Sequence, residues 1–158
     1  MHKLLVVEAE SRICDLLSRS FGLWSGTDVH CIIGGQPGAR AIEEQRYDLA
    51  LIDIMLHDLP YLTLAEMAAR RHTPVLLLPG HPAATEKLAQ DGWDFVSAPF
   101  SISSLRARCQ AIVAETGDNI ARVKASTAKL RASGDALRST MAESQTLIAE
   151  IRQQHGRK

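Results

Sequence analysis

Residues 47–55, YDLALIDIM, hold an apolar run that closes on a carboxylate. Leu49, Ala50, Leu51 and Ile52 show no polar alternation, so both faces of this segment need cover. A strand inside a parallel sheet, with helices on either side, meets that need. Asp53 then falls at the strand's carboxyl end, where open α/β sheets gather their chemistry.

The flanking sequence repeats the pattern. KLLVV (3–7) reads as a short buried strand. Ser11 to about Leu23 reads as a helix, with Ile13, Leu16, Leu17 and Phe21 at helical spacing. DVHCII (28–33) is a second strand, and GGQPG reads as a turn. A short helix is expected around Ala39 to Gln45. The Asp53 strand, the loop HDLP and a helix from Leu62 to Arg71 follow. TPVLLL (73–78) is a fourth strand, stopped by Pro79 and Gly80. A weaker helix covers Ala83 to Asp91, and WDFV (93–96) is a fifth strand. Ser101 caps a helix carrying Ile102, Leu105, Cys109, Ile112 and Val113. Alternating strands and helices predict a doubly wound α/β domain around a five-stranded parallel sheet. In the flavodoxin-like order 2-1-3-4-5 the first and third strands are neighbours. Glu8 and Glu10 would then face Asp53 across a cleft.

The 158 residues carry no net charge, which argues against a surface built to grip nucleic acid. No apolar stretch reaches the ~18 residues of a membrane span. The opening MHKLLVVEAES is too short and too soon acidic for a signal peptide, so a cytoplasmic location is expected. Cys14, Cys31 and Cys109 are scattered, and free core thiols are expected. The first strand runs into EAES without a glycine-rich phosphate loop. With no Gly-x-Ser-x-Gly and no metal-spaced His/Cys set, a nucleotide binder or enzyme is the least favoured reading.

The composition changes after Glu115. Residues 116–158 lack Pro and aromatic residues and are basic. Ile120, Val123, Thr127, Leu130, Gly134, Leu137, Met141, Ser144, Ile148 and Ile151 alternate spacings of three and four, a heptad seam. Thr127, Gly134 and Ser144 weaken it. The seam predicts an amphipathic C-terminal helix that pairs with a second copy or another protein's helix. One such helix is not the compact bundle of a helix-turn-helix domain.

LLVVEAES, YDLALIDIMLHDLP, TPVLLLPG and GWDFVSAPFS, in this order and at these separations, resemble the receiver domain of two-component response regulators over about residues 1–115. The resemblance implies a non-enzymatic signalling module. Its acceptor Asp, here Asp53, would take a phosphoryl group from a histidine kinase. A magnesium ion would be held by Asp53 and Glu8, with Glu10 as a further candidate. Three family positions depart from the pattern. Ala9 replaces the main metal ligand, Pro79 replaces a hydroxyl residue, and Ala98 replaces a lysine. After Asp53, His57 and Tyr61 stand where the family usually carries Pro and Gly. Phe95 matches the switch aromatic, with ordinary packing as its simpler role. The resemblance also implies a partner face near the fourth helix, fifth strand and fifth helix. Two expectations follow. The first is a degenerate receiver acting mainly through protein–protein contact. The alternative is a working receiver phosphorylated on Asp53 with Glu8-assisted magnesium binding.

Overall fold

A computed structural model describes residues 1–80, 82–97 and 99–155, with side chains described up to 129 (82 excepted) and at a few positions beyond. The chain divides into two compact units, Met1–Thr116 and Gly117–Lys158. The first contains β1 (His2–Glu8), α1 (Ser11–Gly22), β2 (Thr27–Ile33), α2 (Gly35–Glu44), β3 (Leu49–Asp53), α3 (Tyr61–Arg70), β4 (Val75–Leu78), a 3-10 turn (Pro82–Ala84) and α4 (Thr85–Asp91). Helix α5 (Ile102–His155) begins there and makes up the second unit.

All strand pairs are parallel, in the order β2-β1-β3-β4. The fold is the flavodoxin-like α/β architecture, with one difference at its edge. The expected fifth strand is a single bridge, Leu77 to Phe95. Leu77 N–H donates to the Asp94 carbonyl at 2.9 Å, and Val96 N–H donates to the Leu77 carbonyl at 3.1 Å. With β4 only four residues long, little ladder remains for 93–96 to join.

Strand alternation sorts the core into two layers. Leu5, Val7, Ala50, Ile52 and Leu77 face α2, α3 and Leu88 of α4. Leu4, Val6, Leu51, Leu76 and Leu78 face Leu17 and Phe21 of α1 and Leu105, Cys109 and Ile112 of α5. The start of α5 is capped as expected: Ser104 N–H donates to Ser101 Oγ at 3.1 Å.

Three expectations are corrected. GGQPG is no turn, because α2 already begins at Gly35. Gly34, at φ 95°, turns the chain. Pro37 fits the first helical turn because its missing N–H is not needed there. Helix α1 buries Cys14, Leu17 and Phe21, whereas Ile13 and Leu16 are 39% and 50% exposed. Cys14 and Cys31 are joined as a disulfide, their Cα atoms 5.9 Å apart. Sequence spacing hid this pair; packing of α1 against β2 brings it together. Cys109 is the free, buried thiol expected, and burial pushes it up to about 12, so it stays protonated and unreactive.

Helix α2 approaches β1 closely. A Cβ at Gly38 would lie 2.8 Å from Val7 Cγ1, inside the core. At Gly35 a Cβ would lie 2.7 Å from Leu59 Cβ.

Of the second unit, the backbone is helical to His155. Ile120 and Val123 are exposed on it. The remaining apolar seam positions, Leu130, Leu137, Met141, Ile148 and Ile151, lie outside the described side chains, as do Gly134 and Ser144. No helix among the described residues is long and apolar enough to cross a membrane.

Candidate functional site

Val7 pairs with Ile52, so the residues that follow, Glu8 and Asp53, emerge side by side at the carboxyl edge of the sheet. Both are buried, at 3% and 8% exposure. Asp53 Oδ1 accepts the Met55 N–H at 2.9 Å. Its carboxyl is raised by burial, against the opposing pull of the Met55 and Ala9 N–H groups and a hydrogen bond with Glu8. Glu8 is pushed up to about 7, by burial first and the Asp53 charge second, against N–H groups of Glu10 and Ala9. Its Oε2 is buried without a partner. Two adjacent carboxyls this far from water resist ionising together, which is why both are raised.

These carboxyls lie in a cleft of about 710 Å³. Ile13, Met55, Leu78, Pro79, Phe100 and Ile102 give it apolar walls. Pro79 is buried at the end of β4 and offers neither hydroxyl nor N–H. Met55 lies against Gly80, where a Cβ would come within 2.9 Å of its Cγ. His57 and Glu10 line the cleft as exposed residues. Glu10 is the N-cap of α1 yet makes no side-chain capping bond. Ala98 lies outside the described residues. Phe95 is half-buried and packs against the core layer that includes Leu77 and Leu88.

Hard divalent cations take oxygen ligands, and magnesium commonly uses one or two carboxylates plus water and phosphate oxygens. Glu8 and Asp53 match that chemistry, and the Glu8 oxygen without a hydrogen-bond partner could serve as a ligand atom. Among the described residues no third His, Cys, Asp or Glu joins them, so Glu10 does not complete a set of three. A bound cation would supply positive charge to offset the two carboxylates.

Sequence reading missed Asp58. Its carboxylate accepts the Gly35 and Gln36 N–H groups at 2.7 and 2.9 Å, capping α2 from the loop after β3. These bonds hold its carboxyl below the usual range. The long separation in sequence left no local signal for this cap, unlike the Ser-x-x-Ser start of α5.

The fold is that of a response regulator receiver domain, and sequence comparison agrees. The chain is 30% identical over 115 residues to the transcriptional regulatory protein TcrA of Mycobacterium tuberculosis, covering 70% of this chain and 45% of that protein. It is 32% identical over 115 residues to the transcriptional activator protein PfeR of Pseudomonas aeruginosa, covering 70% and 37%. Against the response regulator ArlR of Staphylococcus saprophyticus the identity is 26% over 117 residues, covering 72% and 53%. The match thus spans about half or less of the curated relatives' length. Among solved structures, the Francisella response regulator 1452 receiver domain matches with a TM-score of 0.64 and 24% identity, covering 73% of this chain and 99% of that one. A receiver domain protein from Methanospirillum hungatei matches at 0.66 with 21% identity, covering 75% and 98%. No protein-family model matches the chain.

Proposed function

We propose that the chain is a degenerate receiver, a signalling module that works mainly by protein–protein contact with little phosphoryl control of Asp53. The observation that carries this is the makeup of the cleft. Two buried carboxyls lie side by side there, and among the described residues the lining supplies neither hydroxyl nor lysine. A phosphoryl group on Asp53 would add negative charge beside Glu8, and among the described residues no Lys or Arg lines the cleft to meet it. A charge-assisted hydrogen bond contributes ~1.5–3 kcal/mol, so losing the lysine alone weakens the phosphorylated state substantially. Incubation with acetyl phosphate and magnesium, followed by intact-mass measurement, is expected to give no stable adduct. An adduct that disappears in Asp53→Asn would overturn this part.

The alternative is a working receiver, phosphorylated on Asp53 with Glu8 helping to hold magnesium. The burial of Glu8 beside Asp53 and its unpartnered oxygen favour it. It predicts the adduct that the first reading denies.

In either reading the upstream partner would be a histidine kinase or another signalling protein, met near α4, residues 93–96 and the start of α5. The cytoplasm is the compartment in which such a partner would be met. Residues 116–158 would supply a helix that pairs with a second copy or with another protein, rather than a nucleic-acid surface. Analytical ultracentrifugation of the full chain against residues 1–115 tests self-pairing. A dimer is expected for the full chain alone; monomers for both across micromolar concentrations rule self-pairing out.

A further inference from the structure

We propose that the cleft above Asp53 is a binding site for a small organic cation, a primary amine carrying an apolar body. Three observations converge on this class of ligand. First, Glu8 is 3% exposed, lines the cleft, and leaves Oε2 without a hydrogen-bond partner. A buried acceptor of this kind is costly until a donor reaches it. Second, the ionisable lining is Glu8, Glu10 and Asp53 with His57, and no Lys or Arg lines the described cleft. Its field therefore favours a cation and opposes an anion. Third, the walls are apolar. Ile13, Met55, Pro79 and Phe100 surround the carboxyls, and about 710 Å³ lies within the range of small-molecule sites.

An ammonium group has three donors and no acceptor. It can donate to Asp53 and, once the Glu8 carboxyl turns its buried Oε2 toward the cleft, to Glu8 as well, while its hydrocarbon part covers the apolar walls. A hydrated divalent ion would satisfy the carboxyls but leave those walls wet. Ile13 is also the half-exposed residue that α1 turns away from the core and toward this cleft. The inference goes beyond the signalling role proposed above, which would stand even if the cleft took no amine.

Benzylamine and its neutral counterpart benzyl alcohol serve as probes, titrated into the full-length protein without phosphodonor and followed by heteronuclear NMR. Benzylamine is expected to saturate at millimolar concentration or below, shifting the amides of Ala9, Glu10 and Met55. It should bind about tenfold to a hundredfold tighter than the alcohol, the worth of one charge-assisted hydrogen bond. Glu8→Gln should remove that preference while keeping a dispersed spectrum, and Asp53→Asn should reduce it. Equal affinity for amine and alcohol overturns the proposal, as does a preference that survives in both variants. Shifts at these amides with magnesium but none with benzylamine would assign the cleft to the metal instead and overturn it too.

Discussion

Glu8→Gln should stabilise the protein at pH 8 by about 3 kcal/mol and leave it nearly unchanged at pH 4, in magnesium-free buffer. The carboxyl rises from 4.5 in the unfolded chain to about 7 when folded. Between those values the folded state binds a proton that the unfolded state has released. Stability from this group is therefore fully present below about 4.5 and is lost as pH rises through about 7. The interval corresponds to roughly 3 kcal/mol. Asp53 is shifted in the same direction, so the wild-type protein should weaken further on the alkaline side. Glutamine fills nearly the same volume, stays neutral, and can donate to Asp53. Urea unfolding at pH 4, 6 and 8 with a chelator present checks the slope. A wild-type profile as flat as that of the variant would show that Glu8 ionises in the fold at no cost. Magnesium added at pH 8 should restore part of the wild-type stability if the two carboxylates hold it.

Breaking the Cys14–Cys31 bond should cost about 3 kcal/mol, the loop-closure value for a bridge across 17 residues. The bond ties α1 to β2, which stands at one end of the described sheet. Opening it frees the unfolded chain and leaves the buried Cys14 as a small apolar residue, so its removal should lower stability without abolishing folding. Unfolding midpoints with and without a dithiol reductant measure this directly. Cys109→Ala serves as the control. It should not remove the reductant effect, because its thiol takes no part in the bridge. Identical midpoints in oxidised and reduced protein, with mass confirming the bond in the first, would sink the prediction.

How far the sequence could be read follows from where each signal lies. The apolar runs at 3–7, 49–52 and 75–78 carried the parallel sheet, because burial on both faces leaves no other pattern. Asp53 and Glu8 were legible for the same reason: each stands at the point where such a run stops. The segment at 93–96 looked like a strand by residue type. Its pairing depended on how much of β4 remained to pair with, a tertiary fact. Helix α1 was found, but its buried stripe was displaced. With Cys14, Leu17 and Phe21 on the buried stripe, Ile13 is left half-exposed, and periodicity alone could not choose between adjacent stripes. GGQPG was misread because glycine and proline mark both turns and first helical turns. The Asp58 cap that separates the two cases comes from 23 residues away. Glu10 had the right charge in the right neighbourhood, yet it stays in solvent as an uncapping N-cap residue. Its backbone N–H lowers Glu8, while its charge raises both Glu8 and Asp53.

The tight seat of α2 on β1 links two positions that sequence alone treats as unrelated. Position 38 has no room for a methyl group while Val7 keeps both of its own. A relative in which residue 38 grows must shrink residue 7 or lift the helix away from the strand. These two positions therefore drift together or stay fixed. Val7 immediately precedes Glu8, so substitution on the inner face of α2 registers one residue from the carboxyl pair.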